Sequence, residues 1–113
     1  MTFEEYQTQA FSTLTKNHAY GDLTAELMAQ ILGLVGESAE VAEKVKKIIR
    51  DKNGELSDET KAELVKELGD ILWYVNAVAV MLGSDLSKVA DSNLQKVLSR
   101  KERGMIHGSG DNR

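Results

Sequence analysis

With 113 residues, 42% hydrophobic and 28% charged, the chain has the size and composition of one ordinary globular domain. It contains no proline and no cysteine, which excludes disulfides and zinc–thiolate sites and leaves long helices uninterrupted. A net charge of −4 argues against a general binder of nucleic-acid polymers, yet is compatible with nucleotides bound through a metal.

The N-terminus, MTFEEYQTQ, lacks the basic start and apolar stretch of a signal peptide, and no apolar run reaches membrane-spanning length. A cytoplasmic protein with no membrane partner is the expectation. Thr2 and Glu5 have the spacing of a capping box, and Phe3, Tyr6, Ala10 and Leu14 repeat at helical period, which predicts a first helix to about Lys16. KNHAYGD reads as a loop, with Asp22 as N-cap of the next helix. That second helix carries Leu27, Ile31, Leu34, Val35, Val41, Val45 and Ile48 and is expected to end near Arg50. Lys44, Lys46, Lys47 and Arg50 crowd its last turns, where cations complement the helix dipole.

DKNGELS is rich in turn formers, and Ser57 or Asp58 suits the cap of a third helix through Leu64, Leu68, Ile71, Leu72, Val75 and Val78 to Leu82. Gly83 then ends it, Ser84 caps a fourth helix, and Gly104 closes that one. The expected fold is all-α: an antiparallel four-helix bundle over residues 1–104, with helices two and three as its central hairpin packed against one and four. Residues 105–113 read as a flexible tail. A unit this short has limited core, and Phe3, Tyr6 and Phe11 spread over more than one face of the first helix, so a homo-oligomer is expected.

Four carboxylates stand out against this frame. Glu37 and Glu40 in GLVGESAE, and Glu67 and Asp70 in KELGDILWY, are both i, i+3 pairs, each on one face of a helix. A hairpin folding about Asn53 and Gly54 brings Glu37 level with Asp70 and Glu40 level with Glu67. Like charges converging in a partly buried groove repel unless a cation sits among them, and oxygen-only ligands favour Mg2+ or Mn2+. A solvated face would also carry such pairs. Small and apolar neighbours of the first pair (Gly33, Leu34, Gly36, Ala39, Ala42) and the apolar stretch after the second argue for the site. Gly33 and Gly36 each cost about 1 kcal/mol against alanine inside a helix; close helix approach, or room for a ligand beside Glu37, would offset that.

GLVGESAEVAEKVKK, followed after a connector by ELVKELGDILWYV, resembles the MazG-type all-α nucleoside triphosphate pyrophosphohydrolases. Their Glu-x-x-Glu, spacer, Glu-x-x-Asp signature is matched by Glu37, Glu40, Glu67 and Asp70. The likeness continues through LGSDLSKVADSNLQKVLSRKERG, so it spans roughly Leu27 to Gly104. The resemblance implies Mg2+-dependent hydrolysis of a nucleoside triphosphate between its α and β phosphates, giving a monophosphate and pyrophosphate. It also implies a dimer or tetramer with the site near a subunit boundary.

The same chemistry gives the residues roles. Glu37, Glu40, Glu67 and Asp70 would hold Mg2+ (or Mn2+), and Glu37, then Glu40, is the choice for general base. Asn93, Lys96, Arg100 and Arg103 form a polar and basic stripe on the fourth helix. The resemblance makes Asn93, Lys96 and Arg100 phosphate contacts. Trp73, one turn beyond Asp70, is a candidate for stacking on the base, and His18 a candidate base contact, although a helical tryptophan is more often core and a loop histidine often merely exposed. Glu43 and Glu63 read as outer partners or solvated residues. A di-iron carboxylate bundle fits poorly, since neither His18 nor His107 lies three residues after a glutamate. The stronger rival is a non-catalytic helical oligomerisation or interaction module. Base and sugar preference are not written in the sequence.

Overall fold

In a computed structural model that describes residues 1–16 and 18–113, four helices and no strand follow one another: α1 (Phe3–Ser12), α2 (Ala25–Lys52), α3 (Asp58–Met81) and α4 (Leu86–Glu102). The chain is all-α, as its apolar periodicity and lack of proline dictate. No helix among the described residues is long and apolar enough to cross a membrane.

Side-chain chemistry sets each boundary. At α1 both halves of the capping box form: Glu5 N–H donates to Thr2 Oγ1 at 3.1 Å, and Thr2 N–H donates to Glu5 Oε2 at 2.6 Å. The helix stops at Ser12, short of the expected Lys16. There the Ser12 and Thr13 hydroxyls donate to the carbonyls of Gln9 and Ala10 and compete with the helical ladder. Thr24, not Asp22, caps α2 by accepting from Leu27 N–H at 3.1 Å. The far end of α2 runs to Lys52 and is closed by Asn53 at φ 51° and Gly54 at φ 77°, left-handed positions that asparagine and glycine tolerate. Ser57 caps α3. Asp85 caps α4 in place of the neighbouring Ser84, its carboxylate accepting from Lys88 N–H at 2.9 Å; an anion suits a helix N-terminus better than a hydroxyl.

The turn at Asn53–Gly54 folds α2 and α3 into an antiparallel hairpin, and α3 also packs on α4. Gly33 on α2 faces Tyr74 on α3: a Cβ at position 33 would fall on the phenol ring. At the hairpin's other end Lys52 donates to Thr60 Oγ1 at 3.3 Å, and Thr60 is buried against Ser57. These contacts fix a register in which Glu37 meets Asp70. Helix one departs from expectation. It packs on none of the other helices among the described residues, leaving Phe3 94% exposed and Tyr6, Phe11 and Leu14 exposed with it.

The core within one chain is consequently thin. Leu27, Ile48 and Ala79 are the only buried apolar residues among those described, and Ile49, Val65, Leu68, Leu72 and Leu82 lie in the open. The radius of gyration is 20.0 Å, against roughly 13 Å for a compact domain of this length. The accessible surface is 9364 Å², against roughly 6,200 Å² for a compact monomer of this mass.

The Gly33 contact generates a test. Gly33→Ala drives a methyl into the Tyr74 ring and should cost about 1–3 kcal/mol, and most of that cost should vanish in a Tyr74→Ala background. Thermal melts followed by circular dichroism read the coupling; equal costs in both backgrounds would contradict the close approach.

Candidate metal and phosphate site

The hairpin register delivers three of the four signature acids to one place. One carboxylate oxygen from each of Glu37, Glu67 and Asp70 lies within 4.8 Å of the others, with Glu37 and Glu67 half-buried and Asp70 exposed. Glu40 stays outside this group and is exposed. At about 100° per residue, Glu40 is rotated by roughly 60° from Glu37 around α2, the same offset that separates Glu67 from Asp70 on α3; with Glu37 turned to the α3 pair, Glu40 lies on the solvent side.

Lys44 takes the place beside Glu67 that level pairing offered to Glu40. Its Nζ sits 3.4 Å from Glu67 Oε1, with the lysine side chain 33% and the glutamate side chain 18% exposed. Seven residues beyond Glu37, Lys44 returns to nearly the same face of α2, and its side chain leans back one turn toward Glu67 because helical Cβ atoms tilt toward the N-terminus. The cluster thus carries one internal cation. That does not remove the repulsion: the Glu37 carboxyl is held above the ordinary glutamate value of 4.5, first by desolvation and then by the charges of Asp70, Glu67 and Glu40. Three oxygen donors this close, one of them holding its proton more tightly than usual, are a donor set suited to a hard divalent cation.

A cleft of about 350 Å³ opens beside the acids, lined by Glu37, Asp70, Trp73 and Tyr74. Trp73 is 59% exposed, so it is not a core residue of the single chain. Its ring meets Tyr74 edge to face, with centroids 4.9 Å apart and planes at 84°. The cleft joins a charged wall to an aromatic wall, which suits a ligand with an anionic part and a flat apolar part.

The remaining sequence candidates are more scattered. His18 is exposed in the loop before α2 and lines no part of the cleft. Asn93 is exposed on α4. Lys96 and Arg100 share that helix, and both are engaged by Asp111: Lys96 Nζ donates to Asp111 Oδ1 at 2.8 Å, and Arg100 Nη2 donates to the same oxygen at 3.3 Å. Glu43 pairs with Lys46 at 2.8 Å on the solvent side of α2, which makes it a solvated residue, and Glu63 lies near Lys44 and Lys47 toward the closed end of the hairpin.

The MazG nucleotide pyrophosphohydrolase domain matches residues 24–105, a span that takes in α2, α3 and α4 and leaves out α1. The chain belongs to that family. It is also similar to the Gene 37 protein of Mycobacterium phage L5, at 55% identity over 82 residues, 73% of this chain and 72% of the relative. No solved structure matches the chain.

The raised Glu37 carboxyl gives a signed expectation. A carboxyl with a higher pKa folded than unfolded binds its proton more tightly in the folded state, so its charge opposes folding at neutral pH. That opposition fades as the pH falls through the folded value toward 4.5. Without divalent ions, Glu37→Gln should therefore melt higher than wild type at pH 7.5, with the gap closing by about pH 4. A variant that melts lower at pH 7.5 would contradict crowding of the acids.

Proposed function

We propose that this protein is a nucleoside triphosphate pyrophosphohydrolase, dependent on Mg2+ or Mn2+, that works as a homo-oligomer. The observation that carries the reading is the convergence of Glu37, Glu67 and Asp70 within 4.8 Å at the mouth of a cleft walled by Trp73 and Tyr74, in a chain of the MazG nucleotide pyrophosphohydrolase domain family.

Glu37, Glu67 and Asp70 would hold the metal, with Glu40 one turn along as a further donor. A divalent cation held there supplies neutralisation of the phosphate oxygens and lowers the pKa of the attacking water. The chain's own residues do the rest. Water adds to the α-phosphorus, the bond from that phosphorus to the α–β bridging oxygen breaks, and pyrophosphate leaves with the electron pair. The water's proton passes to a carboxylate, for which Glu37 is the first choice because it faces Asp70 across the cleft, with Glu40 second. Lys96 and Arg100, with Asn93 on the same helix, would take the phosphate oxygens that the metal leaves uncovered. The exposed Trp73 face offers a stacking surface for the base. His18, exposed in the loop before α2, would be a further contact to the base.

The oligomer rests on surface. The excess over a compact monomer, about 3,000 Å² per chain, is at least one partner's share of a large obligate interface. The unpacked α1 and the bare apolar faces of α3 and α4 would supply it, making a dimer or a dimer of dimers.

The test is pyrophosphate release from a panel of ribo- and deoxyribonucleoside triphosphates with and without Mg2+. Metal-dependent release is expected, with Glu67→Gln and Asp70→Asn each lowering turnover by about 10² or more and abolishing the Mg2+-induced rise in melting temperature. Normal hydrolysis in both variants would remove the acids from the mechanism. No release by wild type from any nucleotide would leave a non-catalytic oligomerisation module. Light scattering at micromolar concentration should give a dimer or tetramer mass, and a monomer would overturn the oligomer.

A further inference from the structure

Residues 105–113 turn back on α4 and occupy its basic face. Gly104 at φ 66°, Gly108 at φ 108° and Gly110 at φ 89° adopt backbone conformations that other residues rarely take, and they reverse the chain. The reversal brings Asp111 to Lys96 and Arg100. Beyond the two bonds to Asp111 Oδ1, Arg100 Nη2 donates to the Asp111 backbone carbonyl at 2.5 Å. Arg103 donates to the Arg113 carbonyl at 3.0 Å, and Arg113 donates to the carbonyls of Gly110 at 2.6 Å and Ile106 at 3.2 Å, closing the loop on itself. The Arg100 side chain is only 12% exposed, and its Nε is buried with no partner.

One carboxylate oxygen shared by a lysine and an arginine one turn apart is the arrangement a phosphoryl oxygen would take on the same pair. The Asp111 carboxyl is held below its ordinary value, first by the Lys96 hydrogen bond and then by the Lys96 and Arg100 charges. We propose that Asp111 is an internal anionic occupant of the Lys96–Arg100 pair, and that the polyphosphate of a substrate must displace it, so that the 105–113 segment is a competitive latch on the phosphate site. This rests on the reading of Lys96 and Arg100 as phosphate contacts. A latch occupied in most molecules lowers apparent affinity by the fraction of open molecules and leaves the chemical step alone. The three glycines, and an attachment carried by hydrogen bonds and ion pairs with Ile106 only half covered beside Val97 and Leu98, suit a segment that must release.

The chain has no cysteine, so Asn112→Cys gives a unique site for a nitroxide spin label beside Asp111. The labelled protein alone should give an immobilised spectrum that sharpens on titration with inorganic tripolyphosphate. Asp111→Asn in the same labelled chain should be mobile from the start, and the unlabelled Asp111→Asn should lower KM for the best nucleotide by roughly three- to tenfold with kcat within about twofold. Identical spectra for the two labelled chains, or an unchanged KM, would overturn the latch. Pyrophosphate release by wild type with no spectral response to tripolyphosphate would overturn the latch and leave the enzyme reading intact. A spectral response without any nucleotide hydrolysis would support the latch as an anion switch and overturn the enzyme reading instead.

Discussion

The close approach of Gly33 to Tyr74 is the contact on which the site depends. Without a Cβ at position 33 the phenol ring can lie against the α2 backbone, which fixes both the axial register and the rotation of α2 against α3. One turn further along each helix the acids then meet. A slip by a single turn, about 5.4 Å, exceeds the 4.8 Å spread of the three carboxylates and would take Glu37 away from Asp70. Tyr74 also forms the cleft wall and braces Trp73, so one packing event sets the acidic and the aromatic sides together.

Two costs are built into the hairpin. Carboxylates are crowded near the middle of its contact face, and few apolar residues are buried along it. Lys44 offsets part of the first by reaching Glu67 from the face of α2 that carries Glu37. The proposed metal would offset the remainder, and the proposed partner chain would supply the missing core. Both remedies come from outside the single chain. Folding, assembly and metal binding are then thermodynamically linked, since whatever binds only the folded state stabilises it.

Much of this was legible from residue spacing. Period-3.6 apolar positions located all four helices, and the antiparallel alignment of the two acidic pairs about Asn53 and Gly54 anticipated the meeting of Glu37 with Asp70. The glycine cost at position 33 correctly signalled close approach. Gly36, whose Cβ direction is open in the single chain, shows that the same signal does not say which glycine is used. Caps at Thr24 and Asp85 were missed because several Ser, Thr and Asp residues compete within two positions, and only backbone geometry selects one. The place of Lys44 among the cations of the last α2 turns suggests a helix-dipole role, although its seven-residue offset from Glu37 puts it on the site face. Whether α1 packs on the other helices, and the seating of Asp111 on Lys96 and Arg100, depend on segments that share no periodic pattern, so composition and spacing have no purchase on them.

Crystals of the chain soaked in Mn2+ and measured at an energy where manganese scatters anomalously test the metal role of the acids most directly. A single strong peak bounded by Glu37, Glu67 and Asp70 is the expected result, with Lys44 withdrawn from Glu67 and the peak lost in Asp70→Asn. A fully soaked crystal with no peak there, or with manganese held only by other surface carboxylates, would contradict the metal role and with it the proposed hydrolysis.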